Sequence, residues 1–163
     1  MLGISTEQFL NGLLNLLNKS AGVHCMSYLD DKGNVARFVF QKRDLFPDGR
    51  PKPKVFQPEF HPELNRFETS VCGLNGVTED RVWFLGRSIR KESGLTAIAA
   101  VHVEVPGVVN VGLRCEGAPE PNYAEHVVIV GWNVDPEAKH ERLLKQTELA
   151  GMIAIDSVHR TPI

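Results

Sequence analysis

Cys72, His102 and His126 are the residues whose types could do covalent chemistry together, provided the fold assembles them. A thiol beside an imidazole is a nucleophile with its base. Cys72 lies in "SVCGL", directly before Gly73, where backbone amides could stabilise an oxyanion. The same thiol also suits a small buried hydrophobe. The six histidines never recur at H-x-x-x-H or H-x-H spacing, so no metal or cofactor is expected. The signatures G-x-S-x-G, G-x-G-x-x-G and G-x-x-x-x-G-K-[ST] are absent. Glu63, Glu68, Glu104 and Glu125 all lie near β-segments, and linear spacing alone does not define an acid–base pair among them.

A second candidate site is a basic segment. "KRDLFPDGRPKPKVFQPEFHP", residues 42 to 62, has no sustained period and reads as a long irregular Pro-rich loop. Its cations Arg43, Arg50, Lys52 and Lys54, with Phe56 alongside, would suit phosphate contact and base stacking. Its prolines equally suit a stiff arm that docks another protein. A protein partner is the leading expectation, with nucleic acid behind it.

The elements that must position these residues are read from patterning. "STEQFLNGLLNLLNKSAG" is an amphipathic helix with Ser5 and Gln8 at capping-box spacing. "VHCMSYL" and "VARFVF" flank the turn-rich "DDKGN" and read as a hairpin. "RFETSVCGL" is a strand, and "TEDRVWFLGRSIRKESG" a helix capped by Thr78. "LTAIAAVHVEVPGVVNVGLRCEG" gives two strands about a Pro106-Gly107 turn. "HVVIV" is apolar on both faces, as a strand inside a sheet must be. Asp135-Pro136 then starts the last helix, with Asp135 as N-cap.

Residues 1–163 are therefore expected to form a single α+β domain, with a mixed sheet packed by about three helices. A net charge of −2 gives no global bias toward nucleic acid or anionic membranes. The three cysteines lack disulfide or C-x-x-C spacing, which suits reduced thiols in the cytoplasm. No stretch has membrane-span character. Self-association into a symmetric homo-oligomer stays open.

A strand ending in "GL", a helix containing "VWFLG", and "HVVIVGW" before a charged helix together resemble small uncharacterised bacterial proteins. Those proteins carry a His-x-x-Ile-Val-Gly-Trp-type strand ahead of a charged C-terminal helix. A thinner similarity is to ADP-ribosyltransferases, but that family's Ser-Thr-Ser strand and paired glutamates have no counterpart here. Neither resemblance brings a reaction with it. The expected function is a non-enzymatic binding or protein-interaction module. The alternative is a small hydrolase or transferase with a Cys/His site.

Overall fold

The computed structural model describes residues 28–161. The expected N-terminal helix and nearly all of the hairpin's first arm lie outside them. Among the described residues, seven strands form one sheet: β1 (Asn34–Val39), β2 (Glu59–His61), β3 (Arg66–Gly73), β4 (Ala99–Glu104), β5 (Arg114–Gly117), β6 (His126–Val130) and β7 (Val158–Arg160). Their order is β5-β6-β3-β1-β4-β7, with β2 paired to the first half of β3. The α+β class is as expected. Within it the sheet is antiparallel at every pairing rather than mixed.

Two apolar layers hold the sheet. Val35, Val71, Val101, Val127 and Ile129 point to one face, beneath α3 (Lys139–Gly151) and the short α2 (Val105–Asn110). Ala36, Phe38, Cys72 and Ala100 point to the other, beneath α1 (Glu79–Ser88). Each fully buried valine or leucine stabilises the fold by about 1.5–3 kcal/mol. β6 explains its own sequence: with neighbours on both sides and both faces covered, Val127 to Val130 must all be apolar.

α1 begins where its cap dictates, since the Thr78 side chain accepts from the Arg81 amide. It sits close to the sheet through Gly86, where a Cβ would come within 3.0 Å of Ala97 and 3.1 Å of Phe38. Arg81 also fastens it to the start of β6. Its Nε donates to Glu125 Oε1 at 2.7 Å and its Nη2 to Oε2 at 3.1 Å. That pairing holds the buried Glu125 carboxyl below its usual range.

Two sequence expectations are corrected. Pro106-Gly107 is no strand-to-strand turn: Val105–Asn110 is helical, with proline in its first turn. The last helix starts at Lys139, not at Asp135-Pro136. Asp135 Oδ1 accepts from the Glu137 amide, and Arg142 Nη1 donates to the carbonyls of Asn133 and Asp135, both at 2.7 Å. Those bonds hold residues 133–138 outside the helix, with a turn over 136–138, because they engage groups that an earlier helix would need.

Residues 42–62 are folded onto the core. Leu45, Pro51, Val55, Phe56 and Pro58 are buried, and short 3₁₀ turns form over Lys42–Asp44 and Pro53–Phe56. No helix among the described residues is long and apolar enough to cross a membrane.

Candidate functional site

The register draws the three expected catalytic residues into one line. Cys72 lies opposite His126, Ala36 opposite Cys72, and His102 opposite Ala36. Directly opposed residues share a face, yet the three do not form a site. Cys72 is 0% exposed beneath α1, and burial pushes its thiol up to about 12. It is an inert core residue. His102 stands two strands from Cys72 and stacks on His159 with ring centroids 4.0 Å apart. Burial first, then His159, lowers its pKa to about 4. No hydrogen bond joins either histidine to the thiol among the described residues. The Cys/His constellation is therefore not assembled.

His126 belongs to a different group. Its Nδ1 lies 2.8 Å from the Ala118 carbonyl and 3.0 Å from Glu120 Oε1. Both are acceptors, which assigns the proton of the neutral ring to Nδ1. Nε2 then presents its lone pair to the Ser70 hydroxyl, 3.2 Å away. Tyr123 stacks on the ring at 5.0 Å. The loop that brings these groups in is pinned by the reciprocal backbone bonds of Glu120 and Tyr123, and by the His126 amide donating to the Tyr123 carbonyl. With 11% of its side chain exposed, His126 is fixed in orientation yet reachable.

Arg37 forms the other wall. β1 and β3 pair only at Val35↔Gly73 and Ala36↔Cys72. Beyond that the Arg37 side chain bridges the gap, donating from Nη1 to the Ser70 carbonyl at 2.6 Å and from Nε to the Val55 carbonyl at 2.9 Å. Among the described residues its Nη2 makes no hydrogen bond, and no carboxylate lies within ion-pair distance of it. Burial, then the charge of Arg90, lowers its pKa. Arg90 lies over the Phe40 ring at 5.1 Å and only 3.8 Å from Glu59.

Arg37, Arg90, Ser70, Glu120 and His126 line one cleft of about 160 Å³. A neighbouring cavity of about 280 Å³ shares Arg37, Phe40, Glu59 and Arg90 with it. Arg43 and Lys54, two of the expected binding residues, also line that cavity, together with Asp44.

The remaining basic-loop residues look inward or pair locally. Arg50 is bonded to Asp48 at 2.8 Å, and Lys52 donates to the Arg43 carbonyl at 2.9 Å while lying over Phe46. Lys54 stands 3.9 Å from Asp44. Phe56 is 0% exposed, so the stacking role expected of it is corrected: it is a core anchor. Sequence reasoning missed Ser70, Glu120, Arg37 and Arg90. One signal was available, because Arg37 is a lone charge inside the apolar run "VARFVF".

Comparison with protein-family models, with curated proteins and with solved structures finds no match for the chain.

Proposed function

We propose that the chain is a binding module for a small acidic molecule, one carrying a carboxylate or phosphate, held in the cleft between Arg37, Arg90 and His126. The observation that carries this reading is Arg37: a half-buried guanidinium tied to two backbone carbonyls, whose Nη2 makes no hydrogen bond and which has no carboxylate within ion-pair distance among the described residues. A charge withdrawn from water without a counterion is costly, and an anion entering the cleft supplies one. The planar guanidinium suits carboxylate and phosphate oxygens in particular. Arg43 and Lys54 also line the adjoining cavity, with Asp44 3.9 Å from Lys54. The proposed partner is thus a small molecule rather than the protein expected for the loop. The buried, unpaired thiol of Cys72 suits a cytoplasmic setting.

Calorimetric titration with inorganic phosphate and with succinate tests the proposal. Saturable binding of at least one is expected, weakened about tenfold or more in Arg90→Gln, since hydrogen bonds to charged groups contribute about 1.5–3 kcal/mol. Arg90 is substantially exposed, so its replacement leaves the core intact. No saturable binding of either anion, or equal affinity in Arg90→Gln, would overturn the reading.

A further inference from the structure

We propose that the cleft is also catalytic, with Ser70 as nucleophile and His126 as its base in the hydrolysis of carboxylic esters that bear an acid group. The acid-group preference rests on the binding reading above; the Ser–His chemistry rests on separate geometry.

The Nδ1 side of His126 faces only acceptors, the Ala118 carbonyl at 2.8 Å and Glu120 Oε1 at 3.0 Å. That arrangement gives the tautomer a base requires, and it favours the imidazolium that forms when the ring takes a proton. The Nε2 side meets Ser70 Oγ at 3.2 Å, at the outer limit of hydrogen-bond reach for a catalytic pair at rest. Ser70 itself is solvent-accessible on β3, while its strand neighbours Thr69 and Val71 are buried. Its hydroxyl therefore opens into the cleft on a rigid backbone. Arg37 is bonded to the Ser70 carbonyl at 2.6 Å, which sets a cation beside the residue whose attack generates negative charge. Arg90 is left to hold the substrate's acid group.

The step balances without any further cofactor. Ser70 Oγ bonds to the ester carbonyl carbon as its proton passes to His126 Nε2. Collapse of the tetrahedral intermediate breaks the bond to the alcohol oxygen, which takes that proton. Water, with His126 again as base, then cleaves the acyl-serine, releases the acid and restores Ser70. Glu120 is a positioning residue, because it acts only through the ring.

Diisopropyl fluorophosphate tests the proposal on the full chain. The probe is neutral, so its reaction does not depend on the anion site, and a failed phosphate titration would leave this result readable. A phosphorus–oxygen bond to Ser70 forms and the phosphorus–fluorine bond breaks, which intact mass and peptide mapping detect. The expected result is a single adduct on Ser70, formed at least about a hundredfold more slowly in His126→Asn, in line with general-base contributions. Glu120→Gln, a change in an exposed loop residue, is expected to slow labelling several-fold. No adduct, an adduct on another residue, or an unchanged rate in a folded His126→Asn would overturn the proposal. Should His126→Asn not fold, the wild-type adduct and its position decide alone.

Discussion

The basic residues between Lys42 and Lys54 and the single arginine at position 37 meet opposite fates. In the loop, Arg50 is paired with Asp48, Lys54 faces Asp44, and Lys52 is spent on a backbone carbonyl and a phenyl ring. Such exposed local pairs are worth about 0–1 kcal/mol and leave little field to attract a ligand. Arg37 has no carboxylate within ion-pair distance among the described residues, although Glu59 lines the same cleft; it is half-buried and borders a cavity. Charge density along a chain is therefore a poor guide to a site. What distinguishes the cleft is a cation drawn partly out of water with no carboxylate within ion-pair distance among the described residues.

The contrast can be broken at several points. The largest expected effect is Phe56→Ala, at about 3–5 kcal/mol, because the fully buried ring ties the loop to the core. Urea unfolding measures it, and a cost below about 0.5 kcal/mol would mean that the segment is a free arm after all. Next comes pH. His102 is held neutral by burial and by its stacked neighbour His159, with Glu79 the opposing charge nearby. Its folded pKa of about 4 lies below the ordinary 6.5, so the unfolded chain binds the proton first. Stability is full above about pH 6.5 and declines as pH falls toward 4, by at most about 1.4 kcal/mol per unit and less where water reaches the ring. Thermal melts across that window should flatten in His102→Asn.

Arg37→Gln comes third. It should weaken anion binding about tenfold, equivalent to about 1.4 kcal/mol, and competition with phosphate reads it. Smallest is the double change Arg50→Gln with Lys52→Gln, which should alter stability by no more than about 0.5 kcal/mol and leave phosphate affinity within twofold. A larger loss of affinity there than in Arg37→Gln would reverse the comparison.

How far the sequence foretold this structure varies by element, for physical reasons. Thr78 was readable as a cap because capping is local: the side chain answers an amide three residues on. β6 was readable because burial on both faces leaves only apolar residues. The start of α3 was not, since Asp135 serves a turn and Arg142, seven residues later, holds that turn's carbonyls. The site was harder still. His126 stood out by type, but its partners Ser70, Ala118 and Glu120 are brought in by strand pairing and a pinned loop. Cys72 drew attention through its chemistry, and only its burial disqualifies it. Arg37 alone could have been flagged beforehand, as a charge set where the strand period calls for burial.

The sheet's two ends carry a consequence of another kind. β5 has four residues and β7 three, and each includes an arginine, Arg114 and Arg160. Short, charged borders offer a neighbouring molecule few backbone groups to zip onto. At high concentration, growth of the sheet from one molecule into the next is therefore discouraged at both rims. Among the described residues, self-association through the β5 and β7 edges is disfavoured relative to contact through faces or loops.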